Sequence, residues 1–108
     1  MSVFVIADIK VTDDGWVPEY AGNVHTIVEK HGGKYLSRSG NISTLEGEEK
    51  DSTLIAIIEF PTREALDSFV SDPEYAPYGQ ARQAGSVSNF HVIDDTDVAG
   101  AIPYLKAG

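Results

Sequence analysis

The chain has 108 residues, a length that predicts one domain. Its 17 acidic and 8 basic residues give a net charge of −9, so it lacks the clustered Lys and Arg that bind nucleic acid or anionic membranes. It has no cysteine, which excludes disulfides and thiolate chemistry. We find no signal-peptide pattern and no apolar run long enough to span a bilayer, and we therefore expect a cytoplasmic protein.

The chain begins with the pattern of a strand followed by a helix. Val3 to Ile9 is a nearly continuous apolar run rich in β-branched residues, which predicts a buried strand. Asp8 interrupts one face of that strand. Between Trp16 and His31 the apolar side chains recur at steps of three and four, and this spacing predicts an amphipathic helix.

The segment His31-Gly32-Gly33 predicts the end of that helix and the start of a second strand. Gly32 can take the left-handed conformation that ends a helix, and Gly33 can free the next turn. Lys34 to Ser39 is the second predicted strand. Regular alternation places Arg38 on the face opposite Tyr35. Ile42 to Leu45 could continue the pairing beyond Gly40.

The most apolar run of the chain, Thr53 to Phe60, predicts the central strand of the sheet. Glu59 interrupts it near its end, as Asp8 interrupts the first strand. Pro61 stops the strand. Thr62 is a suitable N-cap for a helix from Arg63 to Val70.

The last part of the chain predicts a less regular segment and a final strand. Pro77 and Gly79 predict that the run from Glu74 to Ala84 is irregular. Val87 to Ile93 follows as the last predicted strand. The aspartates that come next end it and lead into the remaining residues.

Two successive strand–helix–strand units predict an α+β, ferredoxin-like βαββαβ fold. Such a fold is a four-stranded antiparallel sheet with its helices on one face. We predict one domain over residues 1–94 and a C-terminal tail over 95–108. Both faces of the two central strands are apolar, and the tail is too short to cover the face that has no helices. We therefore expect a second copy to cover it, which predicts a homodimer.

Several short motifs occur in an order and spacing that match a known family. They are Ile6-Ala7-Asp8, Tyr20, the run His31 to Arg38, Leu45-Glu46-Gly47, Glu59-Phe60-Pro61, Asp72-Pro73-Glu74-Tyr75 and Arg82. With them the chain resembles the dimeric α/β-barrel superfamily and, within it, the domain-of-unknown-function 1330 family. The resemblance implies a dimer whose two sheets face each other around a cavity. It implies no activity, because the superfamily includes cofactor-free monooxygenases, isomerases, cyclases, haem-binding enzymes and stress proteins.

Asp8 and Glu59 are the first candidates for catalysis. In the predicted fold they lie on adjacent central strands, each near a strand end. Two carboxylates on an apolar wall would raise the pKa of at least one of them, which suits a general acid or base. The alternative is that each carboxylate pairs with Arg38 or Arg82 or lies at a wet rim.

Further candidates come from basic and aromatic side chains. His31 could be catalytic or could simply end its helix. Arg38 and Arg82 could hold a substrate carboxylate or phenolate, or pair with the acids. His91 could line the cavity or stand in solvent on an edge strand. The remaining candidates for substrate binding are Tyr20 and Tyr75, with core or rim packing as the alternative.

These residues favour a small cofactor-independent enzyme whose carboxylates move a proton in an apolar cavity. The alternative is a non-catalytic protein, either a small-molecule binder or a stress-related accessory protein. A third possibility is a barrel filled by its own side chains. No cofactor or metal ion is predicted, because the three histidines lack ligand spacing.

Overall fold

The structure is a computed structural model, and it describes residues 1–101. Its sheet has four antiparallel strands in the order β2-β3-β1-β4. The strands are β1 (Val3–Val11), β2 (Lys34–Ser39), β3 (Leu54–Phe60) and β4 (Ser86–Asp94). The helices are α1 (Val17–Lys30), α2 (Arg63–Val70) and α3 (Ala76–Ala84), with short 3-10 turns at Asp14–Trp16 and Val98–Gly100. The predicted ferredoxin-like α+β fold is confirmed, with β1 and β3 central.

Alternate residues of the central strands face the helices. Val5 and Ile58 are buried on this helix face, together with Val24 and Val28 of α1 and Leu66 of α2. The other face of the sheet, here called the open face, carries the intervening residues. In the two central strands these are Phe4, Ile6 and Asp8 of β1 and Ile55, Ile57 and Glu59 of β3.

The joint after α1 forms where it is predicted, but its two glycines serve different purposes. Gly32 has a φ of +80°, the left-handed conformation expected at a helix end. Gly33 is needed for packing, because a Cβ there would lie 2.7 Å from Cε1 of Phe60 and 2.8 Å from Cγ1 of Val28. The joint therefore lets β2 pass closely over the core.

Two predictions about β2 and the loop after it are wrong. The pairing of β2 with β3 shifts register between Tyr35 and Ser37, which is a β-bulge. The extra residue brings Arg38 opposite Ala56, so Arg38 lies on the same face as Tyr35 and not on the opposite one. The second error concerns the segment 42–45, which forms no strand.

The prediction of an irregular segment after Glu74 is also wrong, since α3 is a regular helix over Ala76–Ala84. Pro77 lies in its first turn, where a missing N–H breaks no helical hydrogen bond. Gly79 is buried against the ring of Tyr75. Part of the predicted tail, residues 102–108, lies outside the described residues.

Candidate functional site

A cavity of about 330 Å³ lies between the helix face of the sheet and the helices. Its wall is mostly aliphatic and aromatic. The sheet contributes Val5, Tyr35, Ile58, Phe60 and Phe90, and the helices contribute Tyr20, Leu66, Phe69, Tyr75 and Arg82 among others. We call it the helix-face cavity; its volume is at the lower end of the range for small-molecule sites.

Arg82 is the only charged side chain of residues 1–101 that lines this cavity. It comes from α3 and is only 6% exposed. Its guanidinium carbon lies 4.2 Å from the centre of the Phe90 ring, a cation–π contact. Its buried Nε has no hydrogen-bond partner in the part of the chain that the structure describes. None of the ion pairs formed within that part includes Arg82. Among the described residues, a cation is thus buried without an anion beside it.

Two tyrosine hydroxyls meet in the wall of the same cavity. The hydroxyl oxygens of Tyr20, from α1, and Tyr75, from the start of α3, are 3.0 Å apart. Burial raises the pKa of Tyr20, so its hydroxyl stays protonated at neutral pH. One hydroxyl of the pair donates to the other, and the accepting one retains a proton that it can donate elsewhere.

Arg38 lies beside the cavity wall rather than in it. Its guanidinium carbon is 4.4 Å from the centre of the Tyr35 ring. Burial raises the pKa of Tyr35, and the positive charge of Arg38 opposes that rise. The β-bulge of β2 makes this contact possible, since it brings both side chains to the helix face.

Asp8 lies on the open face, away from the helix-face cavity. Lys50 places its Nζ 2.5 Å from Oδ2 of Asp8, and the Ser52 hydroxyl donates to Oδ1. These two bonds, that of Lys50 first, lower the pKa of Asp8. The predictions of a raised carboxyl pKa and of a partner in Arg38 or Arg82 are both wrong for Asp8. The long loop after β2 supplies the partners instead.

Glu59 is not close to Asp8, although it shares the open face. In the pairing of β1 with β3, Asp8 lies opposite Ile55 and Glu59 lies opposite Phe4. Four strand positions separate the two carboxylates, which is about 14 Å at the usual rise of roughly 3.4 Å per residue. Each acid is near the C-terminal end of its strand, and because β1 and β3 are antiparallel, these two ends lie at opposite ends of the sheet. The catalytic role of each acid stays a prediction, but the two carboxylates are too far apart to act on each other as a pair.

His31 forms part of a polar cluster at the end of α1. Its Nε2 is 2.7 Å from Oδ2 of Asp72, in the link between α2 and α3. Lys30 Nζ lies 3.0 Å from the same oxygen, and Oδ1 accepts the backbone N–H of Glu74. The hydrogen bond from His31, with those from Glu74 and Lys30, lowers the pKa of Asp72. The cluster ties α1 to the α2–α3 link and lies outside the cavity wall.

His91 lies opposite Ile6 on the open face of the edge strand β4 and is exposed. It does not line the helix-face cavity. Of the eight residues predicted for the site, the structure therefore brings Tyr20, Tyr75 and Arg82 together, with Arg38 beside them. It places the other four elsewhere.

Several residues of the cavity wall do not stand out in the sequence. Strict alternation separates Tyr35 from Arg38, and Phe90 has no feature that distinguishes it from other apolar residues of a strand. Gln80 and Gln83 are not recognised as wall residues, because the sequence predicts an irregular segment where α3 is a regular helix. A helical interpretation of α3 would place Gly79, Arg82 and Gln83 on one face, at steps of three and four.

The described residues give no sign of a metal centre or a membrane helix. Within residues 1–101 no three histidine or acidic side chains are grouped so that they could hold a metal ion. In the same part of the chain, none of the helices has the length and apolarity to cross a membrane.

Residues 2–96 match the sequence model of a family described as "Domain of unknown function (DUF1330)". The chain belongs to the DUF1330 family. No curated protein matches it. This DUF1330 chain is similar in structure to RPA0582, a protein of unknown function from Rhodopseudomonas palustris, with a TM-score of 0.75 and 17% identity over 89% of this chain and 83% of that one.

Two solved structures with named activities have the same fold. SnoaB, a cofactor-independent oxygenase from Streptomyces nogalater, superposes with a TM-score of 0.63 and 14% identity over 89% of this chain and 94% of that one. An antibiotic biosynthesis monooxygenase superposes with a TM-score of 0.58 and 17% identity over 90% of this chain and all (100%) of that one. At these identities the likeness establishes the fold, which small-molecule enzymes also use.

Proposed function

We propose that this DUF1330 protein binds a small, mostly apolar molecule with one acidic oxygen in the helix-face cavity and stabilises the anionic form of that oxygen. The observation that carries the proposal is Arg82, a buried arginine in an apolar wall whose Nε has no partner among the described residues. Burying a charge without a partner costs several kcal/mol. The cation–π contact with Phe90 offsets only part of that cost, about 0.5–2 kcal/mol, and satisfies no N–H group.

The tyrosine pair supports the same interpretation. Tyr20 and Tyr75 leave one hydroxyl proton free to donate. A guanidinium and a neutral hydroxyl in a mostly apolar cavity form an oxyanion-stabilising arrangement, whose interactions are stronger there than in bulk water. A phenol or an enolisable ketone is a suitable ligand, because Arg82 stabilises the oxyanion that forms when the phenol loses its O–H proton or the ketone loses an α C–H proton.

Among residues 1–101, no carboxylate and no histidine lines the cavity. The mechanism expected from the sequence, with Asp8 or Glu59 moving a proton, is therefore not supported for this cavity. We propose instead that the substrate loses its proton to water and that Arg82 stabilises the product anion. The resulting enzyme needs no cofactor, and SnoaB is likewise a cofactor-independent enzyme.

Binding is tested with 2-naphthoate and its uncharged analogue 2-naphthamide, measured by calorimetry. We expect the wild type to prefer the anion by about tenfold or more, since a hydrogen bond to a charged group contributes roughly 1.5–3 kcal/mol. Arg82→Gln should remove that preference. Arg63→Gln, which changes an exposed arginine paired with Asp67, is the matched control. Equal preferences in the two variants would overturn the proposal.

Catalysis is tested separately with 2-tetralone, an enolisable ketone, in D₂O. Stabilising its enolate speeds the exchange of the α-hydrogens for deuterium, which NMR records directly. We expect faster exchange with the wild type than with Arg82→Gln.

Binding without any acceleration would favour the second candidate function, a carrier or sensor without catalysis. The lack of a base among the described wall residues is the observation that favours that candidate. Ligand would then raise the melting temperature without forming product.

We also propose that the open face pairs with a second copy of the chain. Phe4, Ile6, Ile55 and Ile57 form an apolar strip on its central strands, and none of the three helices described above covers it. On β4 the strip continues into Ile93, which lies opposite Phe4 and is 57% exposed. A second sheet is the partner that fits a flat apolar surface of this kind. The helix-face cavity would remain accessible in such a dimer.

A further inference from the structure

A second, polar cavity adjoins the helix-face cavity across Arg82. Its volume is about 260 Å³, and its wall consists of Arg82, Gln83, Ser86, Ser88 and Phe90. Arg82, Gln83 and Phe90 line both cavities. The stacked pair of Arg82 and Phe90 therefore forms a partition, with an apolar compartment on one side and a polar compartment on the other.

The hydrogen bonds of the serines define what the polar compartment can recognise. The Ser86 hydroxyl donates to the backbone oxygen of Arg82, at 2.5 Å. A hydroxyl has one proton, so Ser86 can only accept from Ser88, whose hydroxyl oxygen is 2.6 Å away. Ser88 thus uses its own proton in the bond to Ser86. Its lone pairs remain available to accept a hydrogen bond from a ligand.

The strand geometry explains why these groups meet. Ser86, Ser88 and Phe90 lie opposite Val11, Ile9 and Ala7 of β1, which places all three on the helix face. The last turn of α3 brings Arg82 and Gln83 over this part of β4. Phe90 is 37% exposed, so the top of the partition is not sealed by the described residues.

We infer that the two cavities form one two-compartment site for a molecule with two ends. Its apolar body occupies the helix-face cavity, its acidic oxygen lies at Arg82 in the partition, and a hydroxyl or amine substituent on the same edge of the ring as that oxygen donates to Ser88 in the polar compartment. The ligand class is therefore a hydroxylated or aminated aromatic acid, phenol or enol. Ser88 determines the specificity for the substituent. This inference rests on the proposed function of the helix-face cavity.

The test compares three probes by calorimetry: 2-naphthoate, 4-hydroxy-2-naphthoate and 4-methoxy-2-naphthoate, whose substituents are on the same ring as the carboxylate and meta to it. The hydroxyl probe can donate to Ser88 and the methoxy probe cannot. We expect the hydroxyl probe to bind the wild type about fivefold more tightly than 2-naphthoate, the effect of one typical hydrogen bond. The methoxy probe should gain nothing. In Ser88→Ala the affinities for the hydroxyl probe and the unsubstituted probe should become about equal. Ser37→Ala, which changes an exposed serine of β2, is the control and should keep the wild-type ratio of the two affinities.

The possible failures are distinguishable. If Arg82→Gln weakens all three probes but the hydroxyl gives no advantage in the wild type, the two-compartment inference is wrong and the proposed function stands. An advantage that persists unchanged in Ser88→Ala also overturns the inference. If Arg82→Gln binds all probes as the wild type does, or if no probe binds the wild type, the proposed function is wrong and the inference fails with it.

Discussion

Arg82 shows how a single residue can be unfavourable for stability and useful for binding. The residue is only 6% exposed, and its buried Nε has no partner within residues 1–101. Groups of this kind are seldom retained by folding alone, because an apolar side chain of similar size packs without losing hydration. Replacing Arg82 should therefore change stability and ligand binding in opposite directions.

We expect Arg82→Met to stabilise the protein while weakening the binding of aromatic anions. Methionine fills a similar volume and has no charge to desolvate, so the free energy of unfolding should rise by about 1–2 kcal/mol. Urea unfolding followed by circular dichroism measures this change. A large loss of stability would mean that the guanidinium is a structural group, and the proposed role of Arg82 would then lose its support.

At the residue scale the sequence indicates which side chains carry polar chemistry but not their environments. Arg82 and Tyr75 are candidates from the sequence alone, since charged and aromatic residues can be recognised in it directly. Their burial cannot be recognised there, because it depends on how α3 lies over β4. Asp8 cannot be paired correctly from the sequence, because its partner Lys50 comes from a loop without a pattern.

Elements position the site through two local features. The bulge in β2 turns Arg38 toward Tyr35, and the joint at Gly32 and Gly33 sets β2 against the core. The joint is predictable from two consecutive glycines after a helix. The bulge is not, because it depends on the pairing with β3, and a single extra residue reverses the faces of all later side chains.

Gly33→Ala tests the close packing at the joint. The added methyl group would overlap Phe60 and Val28, and we expect a loss of about 1–3 kcal/mol in the free energy of unfolding. Gly22→Ala is the matched control. Gly22 lies in α1, and apart from the backbone of α1 and the adjacent residues no described atom lies within 4 Å of the new Cβ, so the variant should gain up to about 1 kcal/mol. Thermal unfolding of the two variants measures the difference. Equal changes in stability for Gly33→Ala and Gly22→Ala would show that the joint tolerates a side chain.

The Asp72 cluster should make stability depend on acid pH. The pKa of Asp72 is lowered in the folded protein, so its ionised form favours folding above the unfolded-state pKa of about 3.9. That contribution is complete above about pH 5 and is lost as pH falls toward the lowered pKa.

The measurement is the difference in unfolding free energy between the wild type and Asp72→Asn, from urea titrations at several pH values. We expect the difference to shrink as the pH falls below about 5, because Asp72 then becomes protonated in the unfolded chain before it does so in the folded protein. Asp67→Asn, which removes an exposed carboxylate of α2, is the control and should give a small difference. A difference for Asp72→Asn that stays constant down to about pH 3 would contradict the role of the cluster.

At the scale of the whole molecule, the sheet separates two surfaces with different chemistry. The helix face carries Arg82 and the tyrosines, and the open face carries Asp8, Glu59 and His91. The order and antiparallel pairing of the strands are predictable from the chain, and the same antiparallel register separates the two acids. The sequence suggests that both acids lie near strand ends, but only the register shows that these ends are opposite.

Ile57→Glu tests the proposed pairing of open faces. A charge in the middle of an apolar interface costs more than the pairing can offset, so the variant should be monomeric where the wild type is dimeric. Light scattering after gel filtration gives the mass directly. Leu45→Glu, in an exposed loop, is the control and should leave the mass unchanged. A dimeric Ile57→Glu would exclude this face as the interface.

The central claim is that Arg82 meets an anion in the helix-face cavity, and the Nε–H of Arg82 reports on this most directly. Its ¹⁵N–¹H signal, assigned as the one missing in Arg82→Met, is followed by NMR while 2-naphthoate is added. We predict a saturable shift of this signal with the same dissociation constant that calorimetry gives. A signal that stays unmoved while calorimetry shows binding would place the ligand elsewhere and contradict the account.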